Sequence, residues 1–301
     1  MAQATATRVF VILNPGSGTY TAGPVHAALE RHFRCDGGSC DVHEVAGRQD
    51  LAAVAREAAG RGVDIVVAAG GDGTVSAVAN GLVGTGVPLG ILPLGTANVL
   101  ARELAIPIDL EAACTLLGGA HLIAEIDAMR VGGKYYLTQV GVGIDALMIR
   151  DTRDEDKRRF GRAAYLWTMA ARLAGFQPRR FTLVVDGVRH GTRAIQVLLA
   201  NCGTLGQPPL RWGEGIRPDD GVIDVCVVKA RTAWHYLSFA WHVARRTHKE
   251  DPNVKYMKSH REVRVETARP LPVQADGEVI GETPIVVAVA AGAIRVVVPG
   301  G

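Results

Sequence analysis

The sequence predicts two folds in tandem: an α/β domain on a parallel sheet, then a β-rich domain of antiparallel strands. Three observations carry this. Apolar runs of strand length alternate with helix-spaced stretches up to about residue 124, and strand-like runs dominate from residue 123 onward. The first part also places Gly-rich turns at strand ends, within a chain whose 36 glycines among 301 residues exceed the usual ~7%.

The elements follow in order. Residues 8–13 (RVFVIL) read as a short buried strand, 14–18 as a Gly-rich turn, and 25–33 have helical spacing. Residues 42–45 are a second strand and the Ala-rich stretch 51–59 a second helix. The run DIVVAA at 64–69 is a third strand that leads into Gly70, and 74–82 is helical again. Residues 88–92 form a fourth strand, and 99–104 open another helix. Strands separated by helices imply a parallel sheet covered on both faces, with ligands beyond the carboxyl ends of its strands. Beyond residue 123, strands are expected at 123–131, 135–140, 181–185, 194–200, 222–228, 263–266, 273–275, 284–289 and 294–298. Gly132-Gly133 and Asp186-Gly187 are hairpin-turn signals. Helical insertions are expected at 158–176 and 233–247.

Bulk properties narrow the function classes. A net charge of +3, from 33 Lys+Arg and 30 Asp+Glu, is too mild for a nucleic-acid binder, which clusters basic residues on one face. Five cysteines without Cys-x-x-Cys spacing speak against a disulfide framework or zinc site. No apolar stretch has signal-peptide or membrane-span character, so a cytoplasmic protein is expected. The composition leaves a homodimer open.

The chemistry concentrates in the turns. Gly70-Gly71-Asp72-Gly73-Thr74 follows an apolar strand and precedes a helix. Glycines let several N–H groups face one point, and the helix N-terminus adds partial positive charge there. That suits a phosphate chain, with Asp72 holding a bridging Mg²⁺ or taking the acceptor's proton. Asn14-Pro15-Gly16-Ser17-Gly18 offers Ser17 and open backbone at the first strand's end. Gly95-Thr96-Ala97-Asn98 opens a helix, with Asn98 either a cap or, with Thr96, a phosphate or ribose contact. There is no Walker A loop and no Rossmann Gly-x-Gly-x-x-Gly.

Together, NPGSG at 14–18, GGDGTVSAVANGL at 70–82 and PLGTANVLARELAIP at 93–107 resemble the diacylglycerol kinase catalytic family, its bacterial soluble lipid kinases in particular and, more distantly, sphingosine and ceramide kinases. EIDAMRVGGKYYLTQVGVGIDA around Asp127, DDGVIDV at 219–225 and Asp276-Gly277-Glu278 extend the resemblance over nearly the whole chain. It implies a nucleotide-binding α/β domain like that of phosphofructokinases and NAD kinases over residues 1–124, with a strand at about 292–301 returning to it. It also implies a β-rich antiparallel sandwich, lipid-binding, over 125–291. The active site would lie in the interdomain cleft, with ATP and Mg²⁺ as cofactors and a hydroxyl of diacylglycerol or a similar lipid as acceptor. Gly70, Gly71, Asp72, Gly73, Thr74, Gly95 and Thr96 would handle the nucleotide, Asn14 and Ser17 would line its site, and Glu278 would belong with them. Asp276 would be the general base and Asp72 the Mg²⁺ organiser, though some relatives reverse these roles. Read alone, Asp276 is an ordinary Asp-Gly turn residue. Asp219 and Asp220 would hold a structural Mg²⁺ with Asp127 behind them, or form a solvated loop.

The chain departs from the family pattern at Ser76-Ala77, where many relatives carry Asn-Glu, and at Val99, where many carry Asp; Glu103 lies a helical turn beyond Val99. Two alternatives therefore stand beside a lipid kinase: a kinase of a soluble hydroxyl acceptor, and a nucleotide-binding regulator that has lost catalysis. Peripheral contact with an anionic membrane is expected through Tyr165, Met169, Leu173 and Phe176, and through Trp234, Leu237, Trp241 and Ala244. Both stripes are edged with cations, although either could pack into the core instead.

Overall fold

The structure, a computed structural model, describes residues 7–17, 21–34, 39–151, 177–204, 211–213, 215–229 and 253–300. The expected helices at 158–176 and 233–247, and with them Tyr165, Met169, Trp234 and Trp241, lie outside the described residues. The chain divides into two compact units: Met1–Ala128 with Ala291–Gly301, and Met129–Ala290.

In the first unit, β1 (Arg8–Leu13), β2 (Ser39–Glu44), β3 (Ile65–Gly70) and β4 (Leu89–Pro93) alternate with α1 (Ala22–Arg34), α2 (Leu51–Gly60) and α3 (Asp72–Leu82). The short α4 (Val99–Glu103) and α5 (Leu110–Gly118) follow β4. All pairings are parallel, in the order β2-β1-β3-β4, and the end of β16 (Ile285–Val298) joins beside β4 through Val296 and Leu89. Every residue of β3 and β4 is buried, as expected of strands covered on both faces. Right-handed crossovers put α1 on one face and α2 and α3 on the other; accordingly α1 packs against α5, and α2 against α3. The α2–α3 contact is close because α2 is Ala-rich and α3 carries Gly81, where a Cβ would lie 2.3 Å from the Ala52 carbonyl oxygen. The chain leaves β1 for one edge and returns to β3 on the other side. The strand order therefore reverses between β1 and β3, the position at which open α/β sheets bind ligands.

The second unit is a sandwich of antiparallel strands. One sheet runs β12 (Val254–Ser259), β11 (Ile223–Val228), β10 (Gln196–Ala200), β7 (Gln139–Gly143), β14 (Pro272–Ala275), β15 (Glu278–Glu282). The other contains the beginning of β16, β13 (Glu262–Thr267), β8 (Arg179–Val185) and β9 (Val188–Ala194). The hairpin of β5 (Leu122–Val131) and β6 (Lys134–Tyr136) joins along β16. Alternate residues of both sheets meet in the core: Val140, Val142, Val197, Leu199, Val225 and Val273 from one, Phe181, Leu183, Val263, Val265 and Val287 from the other. Each such side chain contributes about 1.5–3 kcal/mol on burial. Helix α6 (Ile144–Asp151) packs on β7, β14 and β15.

Several elements differ from expectation. The strand expected at 135–140 breaks at Leu137 and Thr138, whose N–H groups bond the Asp276 carboxylate instead of a neighbouring strand. The one expected at 194–200 is cut at Ile195, where the chain passes from one sheet to the other. The two strands expected at 284–289 and 294–298 are one, β16, with Gly292 at φ +56° within it. Helix α5, absent from the sequence reading, starts where the Asp109 carboxylate accepts the Ala112 N–H at 3.0 Å.

Candidate active site

Three strand ends of the first unit are bound into one network. At the end of β3, Gly71 is the N-cap of α3 in extended conformation and offers no side-chain cap to it, and the helix begins there with its positive end. Asp72, the first residue of α3, reaches the loop after β4: its Oδ1 accepts the Val99 N–H at 2.6 Å and its Oδ2 the Asn98 N–H at 3.0 Å. The Leu94 N–H donates to the Gly70 carbonyl at 3.0 Å. The two loops touch so closely that a Cβ on Gly95 would lie 2.5 Å from the Gly71 Cα. Glycine is required there by the approach, not by its own φ.

Asn98 is buried and left-handed, with φ 48°, a conformation Asn tolerates. Its amide donates to the carbonyls of Pro93 at 3.2 Å and Gly95 at 2.8 Å, so its side chain holds its own loop. From β1, Asn14 donates through Nδ2 to the buried Thr74 Oγ1 at 3.1 Å, and its N–H donates to the Ala69 carbonyl at 2.9 Å. Gly73 and Thr96 are exposed in the loops after β3 and β4, and Gly16 in that after β1. Ser17 ends a short 3₁₀ turn, Pro15–Ser17. Ser76, Ala77, Val99 and Glu103 are all half-buried.

The donor set fits Mg²⁺ carried in with phosphates. That ion commonly takes one or two protein carboxylates plus phosphate and water oxygens. Each carboxylate oxygen has two acceptor positions, so the bonds from Asn98 and Val99 are compatible with a metal ion on Asp72. Among the described residues, no group of three or more His, Cys, Asp or Glu could hold a metal ion. Asp219, exposed, is paired through both oxygens with Arg217 at 2.9 and 2.8 Å, which holds its carboxyl below the usual range. Asp220 accepts the Val222 N–H at 3.1 Å, and the buried Asp127 accepts the Gly292 N–H at 2.9 Å.

In the second unit, Asp276 and Gly277 form a two-residue hairpin loop between the paired Ala275 and Glu278, both at positive φ. This is a type I′ turn, for which Asp-Gly is a favoured pair. The Asp276 carboxylate accepts the N–H groups of Leu137, Thr138 and Gln139 at 2.9, 3.0 and 3.1 Å and the Thr138 hydroxyl at 2.6 Å. Its own N–H donates to the Gln139 carbonyl at 3.0 Å. Burial, then the charges of Asp276 and the exposed Glu278, push the Tyr136 phenol up.

The sequence reading did not assign Asp145, Gln196, Gln274 or Tyr136 to the site. Asp145 opens α6 on the outer side of the six-stranded sheet. Its Oδ2 accepts from the Gln274 amide at 2.9 Å and its Oδ1 from the Ala146 N–H at 2.6 Å, while its own N–H donates to Gln196 Oε1 at 3.2 Å. Burial pushes its carboxyl up, against the lowering influence of these hydrogen bonds. The available signal was the glycine spacing of Gly141 and Gly143 before Asp145: a Cβ on Gly141 would lie 1.9 Å from Asp145 Oδ2.

Comparison with known proteins accords with both units. Residues 8–131 match the model of the diacylglycerol kinase catalytic domain, and residues 138–298 that of the YegS C-terminal NAD kinase beta sandwich-like domain. A diacylglycerol kinase of Bacillus subtilis is 29% identical over 285 residues, covering 92% of this chain and 91% of its own. A diacylglycerol kinase of Mycobacterium tuberculosis is 33% identical over 190 residues, 61% of this chain and 60% of its own. The crystal structure of a diacylglycerol kinase from Bacillus anthracis shares the fold, with a TM-score of 0.79 at 22% identity over 98% of each chain. With both halves matched in order, the chain belongs to the diacylglycerol kinase catalytic-domain family of lipid kinases.

Proposed function

We propose that this chain transfers the γ-phosphate of ATP to a hydroxyl group of diacylglycerol or a similar lipid. The observation that carries this reading is the network joining Asn14, Thr74, Asp72 and Asn98 across three strand ends at the reversal of strand order. The glycine N–H groups and the start of α3 bind the phosphates, and Thr96 and Gly73 line the exposed part of the same loops. Asp72 holds Mg²⁺, which when bound neutralises charge on the transferring phosphoryl group. Asp276 orients the acceptor hydroxyl and takes its proton. Because the transition state is loose, orientation matters more than full deprotonation, and a carboxylate held by four hydrogen bonds is well oriented. A structural Mg²⁺ on Asp219 would compete with the Arg217 ion pair.

The test is incubation of labelled ATP with vesicles of diacylglycerol, and separately of total lipid extract, using wild type, Asp72→Ala and Asp276→Ala. The expected outcome is a labelled lipid with wild type and a loss of about 10²–10⁴-fold in each variant. ATP binding without any labelled lipid would sink the kinase reading and favour the regulator suggested by Ser76, Ala77 and Val99. Label appearing only on a soluble hydroxyl compound would move the acceptor class. The peripheral membrane contact proposed for residues 158–176 and 233–247 predicts that liposomes with anionic lipid float the wild type better than Trp241→Ser.

A further inference from the structure

A buried carboxyl outside the phosphate-binding loops calls for an explanation. Burying an acid is costly unless its hydrogen bonds offset the lost water, and an apolar pair would pack between α6 and the sheet at lower cost. Asp145 is committed instead to Gln274, which is fully buried in β14. Gln274 Nε2 donates to Asp145 Oδ2 at 2.9 Å, and Gln274 Oε1 accepts the Gly277 N–H at 3.1 Å. Gly277 is the second residue of the hairpin loop whose first is Asp276. The turn does not itself require this arrangement. Asp186-Gly187 joins β8 to β9 with the same pair of positive-φ residues, and Val184 stands there where Gln274 stands here.

We propose that Asp145 and Gln274 form a relay of fixed polarity that positions the Asp276-Gly277 turn for phosphoryl transfer, Asp145 acting as a positioning residue through Gln274. The inference rests on the reading of Asp276 as the group that handles the acceptor hydroxyl. The direction of the relay follows from donor and acceptor inventory. The Asp145 carboxylate accepts from the Ala146 N–H, the Gln274 amide and the Gln196 side chain, and the Gln274 nitrogen turned to it leaves the Gln274 oxygen toward Gly277. The substitution Asp145→Asn breaks this in any orientation. With the new side-chain oxygen toward Ala146, the new amide nitrogen faces the Gln274 amide nitrogen. If Gln274 turns over to suit it, the Gln274 nitrogen faces the Gly277 N–H. If the introduced amide turns over instead, its nitrogen faces the Ala146 N–H. One donor always faces another. The pair Asp145→Asn with Gln274→Glu restores the bonds along the Ala146–Asp145–Gln274–Gly277 path at unchanged net charge: the introduced amide donates to one oxygen of the introduced carboxylate, whose other oxygen accepts from Gly277.

The experiment compares wild type, Asp145→Asn, the double variant Asp145→Asn/Gln274→Glu and Asp276→Ala. It measures kcat for lipid phosphorylation, KM for ATP, and deuterium exchange at the Gly277 amide. The expected result for Asp145→Asn is a kcat lower by about tenfold to a hundredfold, as for a misplaced catalytic group, with KM for ATP unchanged and Gly277 exchange accelerated. The double variant is expected to recover both kcat and Gly277 protection. Normal kcat in Asp145→Asn, while Asp276→Ala is inactive, overturns the relay and leaves the kinase reading standing. An active Asp276→Ala overturns both. Should Asp145→Asn fail to fold, the double variant decides: folded and active supports the relay, whereas inactive or unfolded overturns it.

Discussion

Two aspartates show how one residue type serves different ends. Asp186 and Asp276 each sit at the first position of a type I′ hairpin, and each carboxylate gathers three consecutive backbone N–H groups and one hydroxyl. For Asp186, burial is outweighed by the bonds from His260, Ser259, Glu262 and Arg261, which hold its carboxyl at about 2. Its folded value lies below the ordinary ~3.9 of an unfolded chain, so its stabilisation is fully present above about pH 4 and is lost as pH falls toward about 2. Asp186→Asn should therefore be less stable than wild type at about pH 7 and flatter between about pH 4 and 2.5, as urea midpoints at each pH will show. A second residue-scale expectation concerns Gly95. An added methyl would meet the Gly71 Cα, a backbone atom, so Gly95→Ala should weaken ATP binding by about tenfold or more through the cost of overpacking, read by calorimetry. Gly95 and Asp72 were legible in the sequence because a glycine loop between strand and helix is a local pattern. Asp145 and Gln274 were not, because their contact is made across the sheet register from opposite parts of the domain, and no spacing rule reports such a pairing.

At the scale of elements, buried apolar strands were the most legible features, since β1, β3 and β4 consist almost wholly of buried apolar residues. The missed strands β9, β12 and β15 are rich in polar and charged residues and only partly buried, so their strand character comes from pairing with neighbours rather than from composition. Helix α5 could have been found from Asp109 followed by Leu110, Ala113, Cys114 and Leu117, a capping residue before a helical stripe. The break at Leu137 and Thr138 could not, because it exists to satisfy a carboxylate far along the chain. The α2–α3 contact gives an element-scale prediction. At Gly81 a methyl would press on the Ala52 carbonyl and the Ala55 Cβ. Gly81→Ala should lower unfolding stability by about 1–3 kcal/mol despite the better helix propensity of alanine, measured as a shift of the urea midpoint without a change in slope.

At the scale of the whole molecule, β16, like β5, is shared by both units, beginning in one and ending in the other. Its last residues bury Ile294, Val296 and Val297. Three such side chains, at about 1.5–3 kcal/mol each, approach the about 5–15 kcal/mol by which a domain is stable. A chain ended after residue 291 should therefore lose ATP binding although Asp72, Gly95 and Asn98 are untouched, with calorimetry and circular dichroism as the readouts. No helix among the described residues is long and apolar enough to cross a membrane. The shared strand also sets an order of events during synthesis. Val296 pairs with Leu89 across most of the polypeptide, a closure that costs entropy and delays folding. Until β16 leaves the ribosome, β4 has an open edge of the kind that recruits chaperones or other strands. On the proposed function, nucleotide capture is then a property acquired only once β16 has been made, and a nascent chain stalled before β16 should show none.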